Sequence, residues 1–196
     1  MTLTIYGDSI SGNCLKVCWV ADRLSLHYRW VHLDVVKGEA KTTAFLATNP
    51  AGQVPTVVLG DGRVLSQSNA IMLYLAEGTD LIPPDPYDRA VMFQWLFWEQ
   101  YSHEPAIAVR RFHKHYLGKP DAEIDPALMT KGAAALALMN ARLQANDGWF
   151  AGGAISLADV ALVAYTRVAH EGGFDLSEYP AVAAWVKRVE ATLPIG

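Results

Sequence analysis

The chain has 196 residues, of which 52% are hydrophobic and 18% charged, and it carries a net charge of −4. That is enough apolar material for a packed core, so a disordered chain is excluded. The length allows one large domain or two small ones, and an acidic chain without a basic face is not a nucleic-acid binder.

The opening Leu3-Thr4-Ile5-Tyr6 reads as a strand, not as a signal peptide. No apolar run reaches the ~18 residues of a membrane span. The two cysteines, Cys14 and Cys18, make no disulfide framework, and the expectation is a reducing, cytoplasmic setting. Gly7–Gly12 is a loop. Asn13–Leu24 is a helix, with Cys14, Val17, Cys18, Ala21 and Leu24 at the i, i+3, i+4 spacing of one buried face. Tyr28–Val35 is a second strand and Thr42–Thr48 a short helix. Val54–Leu59 and Val64–Leu65 form a hairpin across Gly60-Asp61-Gly62. Ser68–Glu77 is a helix, with Ser68 as its N-cap and Gly78 as its stop.

Thr79–Tyr87 holds three prolines in nine residues and reads as a stiff linker. The expected division is therefore a domain at 1–78, a linker at 79–87 and a domain at 88–196. Beyond the linker every signal is helical. Asp88–Leu117 is one long helix, expected to kink at Pro105. Ala127–Ala145 is a second. A Gly-rich loop, Asp147–Ala154, leads to Ser156-Leu157-Ala158-Asp159, a capping box with Asp where Glu is commonest. A last helix runs from Pro180 to Leu193.

The order β-α-β-α-β-β-α, then a proline-rich linker, then helices, resembles the glutathione transferases. Asn49-Pro50-Ala51-Gly52-Gln53-Val54-Pro55 is similar to that family's N-P-x-G-x-V-P segment. Ser66-Gln67-Ser68-Asn69-Ala70-Ile71 is similar to its E-S-x-A-I segment, and Ile155–Asp159 to its capping-box segment. The three fall in order and at the family's spacing. Trp95–Phe112 further resembles a bacterial subgroup. The resemblance implies a thioredoxin-like α/β domain followed by an all-α domain.

It also implies a site. Val54-Pro55 resembles a cis-proline turn whose preceding residue offers its N–H and C=O to glutathione as an added strand would. The plainer alternative is that Pro55 starts an edge strand. The N-terminus of the helix at Ser68 suits the γ-glutamyl carboxylate, whether or not Ser68 is also a plain cap. Gln67 stands where the family usually has an acid, so the ligand's ammonium needs a further partner, for which Glu104 of a second copy is the candidate. Lys41 and Gln53 are the candidates for the glycine carboxylate, since Ala40 stands where related sequences often carry His. Ser11 resembles the hydroxyl that stabilises the glutathione thiolate in Ser-type transferases, at the place of the first Cys of a thioredoxin-like Cys-x-x-Cys. Asn13 and Cys14 are its rivals. As a nucleophile, Cys14 would give a disulfide reductase or peroxidase, but its place on the apolar stripe suits an inert thiol. Tyr101, Ala108, Arg111 and Phe112 are candidates for the second, apolar electrophilic substrate. Arg110 and Arg111 also read as ordinary surface charges. The expected cofactor is glutathione with no metal, and the expected partner a second copy of the chain, with no nucleic acid and no membrane. A non-catalytic binding module on the same fold is the remaining alternative.

Overall fold

The computed structural model describes residues 3–146, 148–193 and 195. Asp147, where the Gly-rich loop was expected to begin, lies outside them. The chain divides into two compact units, the first built mainly on residues 3–79 and the second on Asp80–Leu193.

The first unit runs β1 (Leu3–Gly7), α1 (Gly12–Arg23), β2 (Tyr28–His32), α2 (Thr43–Thr48), β3 (Thr56–Val58), β4 (Val64–Ser66) and α3 (Ser68–Leu75). Its sheet order is β2-β1-β3-β4, with β1 parallel to β2 and antiparallel to β3. This is the expected thioredoxin-like βαβαββα domain. Alternation along β1 buries Leu3, Ile5 and Gly7 on one face, while Tyr6 on the other meets Phe45 of α2, ring centroids 5.8 Å apart. On the first face Val17, Val20 and Ala21 of α1 and Ile71 and Met72 of α3 are fully buried. Only glycine fits at position 7. A Cβ there would come 2.4 Å from the Trp30 ring and 3.1 Å from Cys14 Cβ.

β2 and β3 are shorter than the sequence suggests, while β1 and β4 each run one residue further. β2 stops at His32, because Val35 leaves the sheet to donate its N–H to a side chain, Oδ2 of Asp8. The helix after β4 also differs: it ends at Leu75, with Ala76 rather than Gly78 closing it, and its start is displaced. Gln67 holds the cap position, at φ 70° and ψ 109°, and Ser68 is the first helical residue rather than the N-cap. A positive φ in a glutamine costs of order 1–3 kcal/mol, and residue preference alone does not reveal it.

The second unit is helical throughout. α4 (Pro86–Trp98) starts two residues earlier than expected, because Asp85 caps it by accepting from the N–H groups of Tyr87 and Asp88. The long helix then changes pitch rather than simply kinking. A π-helical turn, Glu99–His103, precedes α5 (Glu104–Arg111), and a second, Phe112–Tyr116, follows it. Pro105 has no N–H to give, and the wider turn is taken up just before it, where Glu104 N–H reaches back five residues to Glu99 C=O. α6 (Pro126–Ala145), α7 (Leu157–Thr166) and α8 (Pro180–Thr192) complete the unit. α7 is buried along its whole length, and Trp185 of α8 is wholly buried.

Asp159, in the first turn of α7, organises this core. Its Oδ2 accepts from Ser156 N–H and Ser156 Oγ, both at 2.9 Å. Its Oδ1 accepts from Phe150 N–H at 3.2 Å and from Trp185 Nε1 at 2.9 Å. The capping-box expectation is met, and the same carboxyl also ties a loop and a second helix to α7. Among the described residues no helix is long and apolar enough to cross a membrane.

Candidate functional site

Three loops of the first unit meet at one end of its sheet. The register Tyr6↔Thr56 runs β1 out and β3 in at the same edge, and Thr56↔Ser66 brings the end of β4 there as well. The β1–α1 loop, the Val54-Pro55 peptide and the start of α3 therefore converge.

Ser11 occupies the N-cap position of α1 at φ −86° and ψ 114°, yet its side chain accepts no bond from the helix backbone. Its hydroxyl instead favours ionisation of the nearby Cys14 thiol. A capping serine would spend its oxygen on an amide; this one does not. Asn13, one residue into α1, accepts at Oδ1 from Ser68 Oγ at 3.3 Å, so the first turns of α1 and α3 are joined. Ser68 is buried, and Gln67 beside it is exposed.

The Val54–Pro55 bond is cis. Val54 lies outside β3, and among the described residues neither its N–H nor its C=O has a hydrogen-bond partner. The turn before it is braced by the buried Asn49, whose Nδ2 donates to Gln53 C=O and to Thr56 Oγ1, both at 2.9 Å, while its Oδ1 accepts from Ala51 N–H. Sequence reasoning gave Asn49 no role of its own. Gly52 is buried at φ 57°, and a Cβ there would come 2.8 Å from Ala40 C=O. Lys41 Nζ donates to Ala51 C=O at 3.2 Å, which sets its ammonium beside the same turn, next to the exposed Gln53.

Cys14 is fully buried, and burial pushes its thiol up to about 11 even though the Ser11 hydroxyl and the Asp8 N–H oppose the shift. Cys18, one turn on, is pushed up to about 12 by the same cause. Neither thiol ionises readily at neutral pH.

The remaining candidates lie in the second unit. Tyr101 lies in the π turn, whereas Glu104, Ala108 and Arg111 share the regular α spacing of α5. Tyr101 is 87% exposed. It lines a cleft of about 520 Å³ with Trp98, Pro105, Leu128, Lys131 and Leu138. Glu104 opens α5, and Ala108 is buried. Arg110 and Arg111 are not surface charges; both are buried. Arg110 donates to Gly172 C=O and pairs with Asp121. Arg111 pairs with Glu171 at 2.5 Å, and its second nitrogen donates to the Tyr116 hydroxyl. Phe112 is half-buried against the Tyr116 ring. Among the described residues no three His, Cys, Asp or Glu side chains are grouped to hold a metal ion.

Comparison with known proteins places this arrangement. Residues 1–77 match the family described as glutathione S-transferase, N-terminal domain, and residues 92–192 match its C-terminal domain. A crystal structure of a glutathione S-transferase from Pseudomonas fluorescens Pf-5 is 44% identical. That match has a TM-score of 0.92 and covers 96% of this chain and 94% of that one. Glutathione S-transferase 3 of Zea mays is 32% identical over 201 residues, covering 96% of this chain and 89% of that protein. The disulfide-bond oxidoreductase YfcG of Escherichia coli K12 is 28% identical over 183 residues, covering 90% of this chain and 85% of that protein. The chain belongs to the glutathione S-transferase family.

Proposed function

We propose that this protein is a transferase that holds glutathione at the loop end of the first unit and activates it as a thiolate for attack on an apolar electrophile. The observation that carries the reading is the Ser11 hydroxyl, which stands at a helix N-terminus without accepting from a helix amide, at the end of the sheet where the Val54-Pro55 peptide and the start of α3 also meet. A free thiol has a pKa of ~8.5. Lowering it by about 2 units takes ~2.7 kcal/mol of preference for the thiolate. One hydroxyl donor and the positive end of a twelve-residue helix supply about that much.

The other parts follow the shape of the ligand. The open N–H and C=O of Val54 pair with the cysteinyl unit. The first turn of α3, with Ser68, receives the γ-glutamyl carboxylate, and Gln67 takes the amino group. Glu104 of a second copy supplies the missing negative charge, so the active form is a homodimer. Lys41 and Gln53 hold the glycine end. In this reading the glutathione domain is 1–78, the linker 79–87, and 88–196 carries the electrophile pocket, with Tyr101, Ala108 and Phe112 as its apolar surface. Arg111, held by Glu171 and Tyr116, shapes that surface rather than binding substrate. A cytoplasmic setting and a detoxifying role complete the proposal.

The oxidoreductase relative favours a second reading, glutathione-dependent disulfide reduction. Cys14 is a poor nucleophile for it, being buried and protonated, so this chemistry would run through two bound glutathiones. The test is calorimetric titration with glutathione, followed by two assays: conjugation of a chloro-dinitro aromatic and reduction of a small disulfide. Binding with conjugation supports the transferase. Binding with reduction alone supports the second reading. No binding refutes both.

A further inference from the structure

Asp8 stands in the β1–α1 loop, three residues before Ser11, and is only 2% exposed. A buried carboxylate must find donors. This one finds them on two separate segments. Oδ1 accepts from Ile10 N–H at 3.1 Å, and Oδ2 accepts from Val35 N–H at 2.8 Å. The Asp8 backbone is engaged as well. Its C=O accepts from Ser11 N–H at 3.1 Å, and its N–H donates to Cys14 Sγ at 3.4 Å.

We propose that Asp8 is a positioning residue that fixes the Ser11 hydroxyl in the place where the glutathione sulfur arrives. The inference rests on the reading of Ser11 given above. A loop of four residues between a strand and a helix has many available conformations. Asp8 removes that freedom from both sides. Through Ile10 and Ser11 it folds the loop back on itself, and through Val35 it pins the loop to the chain leaving β2. That second anchor is itself fixed, because Leu33 N–H donates to Gly7 C=O and Asp34 N–H donates to Glu39 Oε2. Ser11 thus starts α1 from a point tied to the sheet, and its hydroxyl is aimed before any ligand binds.

The charge of Asp8 works the other way. A carboxylate beside the loop raises the cost of any thiolate there, and it adds to the burial that keeps Cys14 protonated. Positioning and charge therefore predict opposite effects on a bound thiol. Asp8→Ala removes both acceptor oxygens and the charge. Asp8→Asn also removes the charge but keeps one acceptor.

Two measurements decide the matter. The first is amide hydrogen exchange in the ligand-free protein, read at Ser11, whose partner is the backbone of Asp8 and not its side chain. Positioning predicts exchange about tenfold faster in Asp8→Ala, the factor that a loss of about 1.4 kcal/mol gives, and a smaller change in Asp8→Asn. The second is the pH titration of thiolate absorbance for glutathione bound to each variant. Positioning predicts a bound thiol pKa that rises in Asp8→Ala, with Asp8→Asn between it and wild type. Unchanged exchange at Ser11 overturns the proposal, as does a pKa that falls equally in both variants, which is the mark of charge alone. If wild type itself shows no low-pKa thiolate, the Ser11 reading fails instead, and exchange at Ser11 alone decides whether Asp8 positions it.

Discussion

Replacing Asp159 with alanine tests how the second unit is held together. The carboxyl is wholly buried and takes four hydrogen bonds from Ser156, Phe150 and Trp185. Without it the Ser156 hydroxyl can turn elsewhere, but the N–H groups of Ser156 and Phe150 and Nε1 of Trp185 lose their acceptor. At roughly 1–3 kcal/mol for each orphaned buried donor, the loss is about 6 kcal/mol. Ionisation offsets part of it. Burial pushes the Asp159 carboxyl up from 3.8 to about 6. A raised pKa in an acid means that the folded state binds the proton more tightly than the unfolded state. Stability from this group is therefore full below about pH 4, falls as pH rises to about 6, and stays low above that, by about 3 kcal/mol in all. The variant has no such slope. The gap between wild type and Asp159→Ala should be about 6 kcal/mol near pH 4 and about 3 kcal/mol at pH 7. At pH 7 that lowers Tm by roughly 10 °C. Urea denaturation followed by tryptophan fluorescence at several pH values reads the gap directly, and other titrating groups cancel in the difference. A gap that widens as pH rises would refute the reasoning, because the four donors would then outweigh burial and favour the carboxylate.

Further predictions concern the first unit. Cys14→Ser should keep glutathione conjugation within about twofold of wild type, since a thiol at about 11 is silent at neutral pH; loss of conjugation would restore Cys14 as the nucleophile. Native Cys14 should also resist alkylation at pH 8 and react only on unfolding, as mass spectrometry would register. Gly7→Ala forces a methyl against Trp30 and Cys14. Denaturant titration should show a loss of about 1–3 kcal/mol, and the rate should fall with it because the strain enters the β1–α1 loop.

Much of this was legible in the sequence, for identifiable reasons. The capping box at Ser156–Asp159 is a local device, so its residues announce it. The Val54-Pro55 turn came with the neighbours that brace it. What escaped was non-local or conformational. Asp8 looks like an ordinary loop acid until Val35, 27 residues on, is seen to donate to it. The positive φ of Gln67 displaced the cap by one residue and turned Ser68 from cap into the partner of Asn13. Pro105 signalled a break in the long helix, but nothing local shows that the backbone accommodates it as a π turn. Arg110 and Arg111 resembled surface charges because their acceptors, Gly172, Asp121 and Glu171, are distant in sequence.

The central claim is that a hydroxyl at the start of α1 makes glutathione a thiolate. The most direct test is the pKa of glutathione bound to wild type and to Ser11→Ala, read from thiolate absorbance against pH, with affinity followed by calorimetry. A hydrogen bond to a charged group contributes about 1.5–3 kcal/mol. Loss of the hydroxyl should leave a bound thiol pKa about one to two pH units higher in Ser11→Ala, a conjugation rate at neutral pH that falls with it, and affinity changed only a few-fold. An unchanged pKa in a variant that still binds glutathione would contradict the claim and pass the role to Asn13 or to the helix alone.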